Sequence, residues 1–293
     1  MSNELAQALV GALVLGSLYS VVGIGFVILY KATRVLNFAQ GSLMLLGGFI
    51  FYTLNQDAGL SWPLAMVASA LAMGVLGGAM YVLFFRRLVG AAEFTLVIAT
   101  LGLSVLLLTV CLVVWGPGTR TLPDQLSRKS LISFGNLDFS SIDVFSIVLS
   151  VVVVVALDLA LRHTRLGIKM RAVADQPLLA SQLKVNVNRM SAIAWAIAAG
   201  CAGLAGIAYA MRLSIDPAGM TALGLLAFPA ILLGGLDSVR GVLAGGFVLA
   251  LAQSGAAFYL GGEWSNVTAY AVMLAVLLVR PRGFFGSRLA VRL

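Results

Sequence analysis

The sequence predicts an all-α protein, a polytopic membrane bundle of about eight or nine transmembrane helices. Composition is the first observation: 61% of the 293 residues are hydrophobic and only 10% charged, against roughly 25% charged in soluble domains. Mean hydropathy is correspondingly high, at +1.04. The second is that apolar runs near the bilayer-crossing length of about 20 residues recur from one end of the chain to the other. The third is glycine spacing within those runs. Gly74, Gly77 and Gly78, then Gly200, Gly203 and Gly206, then Gly241, Gly245 and Gly246 sit where they let helix backbones approach, so they mark packing seams.

Nine candidate spans follow in order: 5–30, 38–54, 62–85, 94–115, 144–161, 190–211, 221–233, 242–260 and 267–279. The seventh and ninth are short, as re-entrant or tilted partial helices are. The first is preceded by Glu4, with no basic leader and no clear cleavage site, so it reads as a retained span and not as a removable signal. All nine belong to a single transmembrane domain over residues 1–293.

Charge sets the expected orientation. If all nine cross, one side holds 15 of the 19 Lys and Arg, and the other holds only Arg120, Arg128, Lys129 and Arg212. The positive-inside rule then places the N-terminus outside, and the 162–190 loop and the C-terminal tail in the cytosol. Losing the seventh span alone would export Arg280, Arg282, Arg288 and Arg292, so either it crosses or a second segment also fails. The longest external interval, 116–143, has Pro117, Gly118 and Pro123, turn residues that suggest an ordered cap containing a hairpin. It reads equally as a docking face or as a plain connector.

The 162–190 interval is the longest basic stretch, with Arg162, Arg165, Lys169, Arg171, Lys184 and Arg189 against one acid, Asp175. Pro177 removes a backbone donor and biases its predecessor away from helix, so two short helices broken at that residue are expected. Between hydrophobic spans they make a protrusion that a cytosolic partner can grip. The alternative is a solvated anchor of the membrane boundary. Asp158 stands four residues before Arg162, at the spacing of a helical ion pair.

Several function classes fall away. The net charge of +8 is spread along membrane boundaries and forms no continuous basic face, which disfavours nucleic acid and favours membrane lipid. Cys111 and Cys201 lie inside apolar runs, and the single histidine, His163, stands among arginines, so no metal set can be assembled. No nucleophile, base and oxyanion donors group together, which places catalysis last. No lysine completes a GxxxxGK[ST] phosphate loop, so any active transport needs a separate ATPase subunit. The spans lack interior carboxylates, which weighs against proton or sodium coupling and leaves a stand-alone channel for a small neutral solute as a rival.

Four stretches carry a resemblance. They are LYKATRVLNFAQGSLMLLGGF at 29–49, RAVADQPLLASQLKVNVNRM at 171–190, FPAILLGGLDSVRGVLAGGF at 228–247 and LLVRPRGFFG at 277–286. In this order, over nearly the whole chain, the sequence resembles the permease subunits of branched-chain amino-acid (LIV-type) ABC importers. The resemblance implies a type II-like importer permease paired with a homologous permease, two cytosolic ATPases that hold ATP and Mg, and a periplasmic or lipoprotein solute-binding protein. It implies no cofactor in this chain and a place in the bacterial cytoplasmic membrane. Related permeases for urea, short amides or aromatic acids share the scaffold.

The same resemblance marks 171–190 as the loop that couples to the ATPase, with Arg171, Asp175, Pro177, Ala180, Lys184 and Val185 as its candidate residues. Two positions depart from the family pattern: Leu178 follows the proline where an acid is usual, and Lys184 replaces a glycine. In the NFAQG stretch, Asn37 to Gly41, Gln40 replaces a histidine. Asn37 and Gln40 read as lining or gating the translocation path, or as a helix start with Asn37 as N-cap. Thr95, Thr100 and Ser104 offer hydroxyls to a wet path, or to the helix and its neighbours.

Overall fold

A computed structural model of the chain describes residues 2–123, 130–134, 137–281 and 283–286. Eleven α-helices and one hairpin are described: α1 Ser2–Thr33, α2 Gln40–Tyr52, α3 Trp62–Leu83, α4 Glu93–Trp115, β1 Ser130–Phe134, β2 Leu137–Ser140, α5 Ser141–His163, α6 Arg165–Asp175, α7 Pro177–Gln182, α8 Val187–Arg212, α9 Pro217–Gly234, α10 Val239–Leu260 and α11 Trp264–Val279. Among the described residues, seven helices are long and apolar enough to cross a membrane, and α11 is a shorter apolar helix.

The centre of the bundle is α1. Of its most apolar 18-residue stretch 89% is buried, against 17% for α5, so α1 is packed by protein on all sides while α5 faces outward. The glycine seams build this centre. Gly16 of α1 lies against Phe247 of α10, and Gly246 of α10 lies against Gly16 and Ser20. On the other side, Gly47 of α2 meets Gly203 of α8, and Gly206 of α8 abuts the carbonyl of Met44. Gly77 of α3 packs on Trp195 and Ala199 of α8. Each of the three predicted seams is therefore a real crossing of backbones.

Two spans differ from their sequence reading. The short seventh run grows to α9, with 18 residues, because Asp216 caps it by accepting from the Ala218 and Gly219 N–H groups, and Pro217 sits at the first position. The second run is not one continuous helix. α2 starts at Gln40, runs 13 residues and ends in a π-helical turn at Thr53–Asp57. Residues 34–39 carry the chain to it without helix.

Beyond α4 the chain is described to residue 123, and the expected hairpin is present as β1 and β2, paired antiparallel. Arg120 exchanges two backbone hydrogen bonds with Ile215 at 3.0 and 2.7 Å, and Arg212 pairs with Asp143 at 3.3 Å. Ser140 and Asp143 form a reciprocal capping box at the start of α5. Arg128, Lys129, Arg282, Arg288 and Arg292 lie outside the described residues.

Candidate functional site

The first candidate site is the point where α2 begins. The Gln40 side chain lies against Val22 of α1 and Ala198 of α8, each 11 residues from its helix end. At 1.5 Å per residue that is about 16 Å inside the bundle, near the middle of a hydrocarbon layer about 30 Å thick. Non-helical backbone is tolerated at that depth only when protein satisfies its polar groups. Here Thr100 of α4 does so: its hydroxyl accepts from the Phe38 N–H at 3.3 Å and lies 3.2 Å from the Leu36 carbonyl.

The neighbouring side chains complete a buried knot. Asn37 accepts from the Ala39 N–H at 3.1 Å and donates to the Gln40 side-chain oxygen Oε1 at 3.3 Å. The Gln40 amide donates to the carbonyls of Ala198 at 3.1 Å and Val22 at 3.5 Å. Ser104 shares a hydrogen bond of 2.9 Å with Ser42, a residue that sequence reasoning passed over. Asn37, Gln40 and Thr100 are fully buried. Ala39, not Asn37, occupies the N-cap position, and Asn37 instead braces the turn before it. Thr95 is not part of the knot: it is exposed in the first turn of α4.

The second candidate site is the protrusion of α6 and α7. Thr164 starts α6 by accepting from the Gly167 N–H. Gly167, Met170 and Val173 are buried on one face while Arg165, Lys169 and Arg171 are exposed on the other. Gln176 breaks the helix before Pro177, which opens α7 at its first position. Ala180 is buried beneath α7, and Leu178, Leu179 and Leu183 are 80%, 51% and 77% exposed.

α7 ends in a Schellman turn. The Lys184 N–H donates to Ser181 and the Val185 N–H to Ala180, both at 3.0 Å. Lys184 itself adopts φ +58, a left-handed conformation that penalises any side chain with a Cβ by about 1–2 kcal/mol. The turn that a glycine would favour is thus kept with a lysine in it. Lys184→Gly is expected to raise the melting midpoint of the purified protein by about 2 °C, and Lys184→Val to lower it, as read by a thermal unfolding scan in detergent.

Arg34, which sequence reasoning also missed, joins the two sites. It takes φ +57 after the end of α1, lies over the Tyr30 ring at 5.5 Å and pairs with Asp175 of α6 at 3.6 Å. Three residues along the chain from Arg34 is Asn37. The predicted Asp158–Arg162 pair also forms, at 2.8 Å, and Arg240 of α10 shares the same carboxylate at 3.4 Å.

A helix that begins deep inside an apolar bundle and the irregular backbone that leads into it are features of transport proteins. Comparison with known proteins decides between the families that have them. The family of branched-chain amino acid transport system permease components matches residues 8–277. The chain belongs to that family. This permease is 28% identical over 292 residues to the high-affinity branched-chain amino acid transport system permease protein BraD of Pseudomonas aeruginosa, covering 96% of this chain and 95% of the relative. It is 26% identical over 294 residues to the corresponding LivH of Escherichia coli K12, with the same coverage. Among solved structures, PsaBC from Streptococcus pneumoniae in complex with Fab matches the permease with a TM-score of 0.51 at 13% identity, over 94% of this chain and 91% of that one. That likeness speaks to the fold of the permease alone.

Proposed function

We propose that this permease is one of two homologous subunits that together import branched-chain or related aliphatic amino acids. A periplasmic or lipoprotein binding protein delivers the solute, and two cytosolic ATPases, holding ATP and Mg, drive it across the bacterial cytoplasmic membrane. In this reading the N-terminus is outside, and the protrusion and the C-terminus are cytosolic, as the excess of Lys and Arg on that side supports. The chain itself performs no catalysis.

The observation that carries the proposal is the tip of the protrusion. Leu178, Leu179 and Leu183 are exposed, with Lys184 and Arg189 following them in the chain, on a helix and turn too short to span a membrane. Apolar side chains held outward beyond the bundle require a partner surface. α7 is the element that fits an ATPase groove, with Pro177 fixing its start and the Lys184 turn fixing its end.

Motion then has a route inward. A cavity of about 150 Å³ lies beneath Pro177, lined by Thr33, Arg34, Phe85 and Trp195, and leaves room for α7 to shift. The Arg34–Asp175 pair ties that shift to residues 34–39, and so to the start of α2. An exposed pair of this kind contributes about 0–1 kcal/mol to stability, so its role is positional. Asn37, Gln40, Thr100 and Ser104 act as a gate, closed when their hydrogen bonds are turned on one another and on backbone. α9 covers the gate through Gly224, which meets Gly41.

Solute-stimulated ATP hydrolysis in vesicles containing this chain, its sibling permease, the ATPases and the binding protein tests the proposal. Leucine, isoleucine or valine is expected to stimulate hydrolysis, and only with binding protein present. Stimulation by urea or an aromatic acid in their place would move the substrate class, and solute flux without any ATPase would replace the importer with a channel.

A further inference from the structure

A second polar cleft lies where α1, α5, α6 and α10 meet, at the same end of the bundle as the protrusion but away from α7. Its volume is about 140 Å³, and Lys31, Arg162, Arg171 and Asp158 line it together with the apolar Ile28 and Met170. The charges do not balance. Asp158 is already shared by Arg162 at 2.8 Å and Arg240 at 3.4 Å. Asp237 is the other acid whose field reaches Lys31, while Arg162 and Arg171 repel it. Among the described residues three cations, Lys31, Arg162 and Arg171, therefore line with one carboxylate, Asp158, a cleft whose remaining walls are the apolar Ile28, Leu161, Met170 and Val239. Lys31 is half-buried beside the exposed arginines, and like charges gathered around it favour a bound counter-anion.

We propose that this cleft binds the phosphate headgroup of an anionic phospholipid. Phosphate fits the donors, because Arg162 and Arg171 offer forked N–H groups and Lys31 a compact ammonium. Position selects the lipid over a free anion. Lys31 lies two residues from the end of α1, Arg162 one residue from the end of α5, and Arg240 in the first turn of α10. That is the boundary level where headgroups sit and where basic pockets between helices hold them. Beside the cleft, Val148, Val152, Val155 and Leu159 of α5 are 53%, 57%, 46% and 52% exposed. At helical rise they form an apolar strip about 16 Å long leading away from the cations, which suits an acyl chain. The site is distinct from the gate and from the tip of α7, and it does not depend on which solute is carried.

Lipid retention measures it directly. The full chain, purified in neutral detergent, is exposed to mixed phosphatidylglycerol and phosphatidylcholine, and the bound lipid is counted by native mass spectrometry. Wild type is expected to retain phosphatidylglycerol selectively. Arg171→Gln, at an exposed position that does not threaten folding, should reduce that retention about fivefold, and Lys31→Gln combined with it about thirtyfold. Arg86→Gln with Arg87→Gln, an exposed basic pair elsewhere on the chain, should leave retention unchanged. Equal retention of both lipids by wild type, or an unchanged preference in Arg171→Gln, would overturn the proposal. Displacement of phosphatidylglycerol by millimolar inorganic phosphate would reassign the cleft to a free anion.

Discussion

Gly206→Leu is expected to leave little folded protein, whereas Gly102→Leu is expected to be tolerated. The two glycines are both in helix interiors and differ in what faces them. A Cβ at Gly206 would strike the carbonyl of Met44 and approach the Gly48 N–H at 3.2 Å, so backbone opposes it and no side chain can swing aside. A Cβ at Gly102 meets nothing within 4 Å. Overpacking a close seam costs about 1–3 kcal/mol even where side chains can adjust, and here α2 and α8 must separate along the whole crossing. That crossing also holds Gly47 against Gly203 and positions Ala198 for Gln40. Removing a helix-interior glycine at Gly102 should by contrast gain about 0.5–1 kcal/mol of helix propensity. Fluorescence-detected size exclusion and thermal scans of the two variants read the difference. Normal folding of Gly206→Leu would mean that α2 and α8 do not approach as described.

Thr100→Val should cost about 2–4 kcal/mol, and Thr100→Ser should restore most of it. The valine keeps the shape of threonine but removes the hydroxyl that accepts from the Phe38 N–H. A backbone N–H left unpaired at this depth has no water to turn to, and its desolvation penalty is several kcal/mol in hydrocarbon, reduced by whatever relaxation the segment allows. Thermal scans should therefore show a lower melting midpoint for valine than for serine. With Asn37, Gln40, Thr100 and Ser104 as the gate, the valine variant should also hydrolyse ATP without binding protein, since a loosened gate no longer waits for solute. Equal midpoints for the two variants would show that the hydroxyl does not hold the segment.

The protrusion was legible in the sequence because proline chemistry is local. Pro177 alone places the break between α6 and α7, and the Asp158–Arg162 spacing alone gives the ion pair. The broken second span was not legible, since a hydropathy run averages over its residues and NFAQGSLM reads as the start of any helix. What reveals the break is the contact of Gln40 with Val22 and Ala198, residues 18 and 158 positions away. Nor could the sequence show that α1 is central, because a helix that is apolar all round looks the same against lipid as against protein. Thr95, Thr100 and Ser104 did carry a signal that was not used. Positions 100 and 104 share a helix face, and 95 does not. Arg34 was hidden because a non-glycine residue with positive φ announces itself only in the backbone.

The most direct measurement is solute-stimulated ATP hydrolysis by the complete reconstituted importer carrying Pro177→Gly or Leu178→Asp with Leu183→Asp. These changes alter only the start and the exposed apolar face of α7. With α7 as the coupling element, both variants should assemble, bind solute-loaded binding protein and lose most of the stimulation. Full stimulation in both variants would contradict the assignment of α7 as the contact that links the ATPases to the gate.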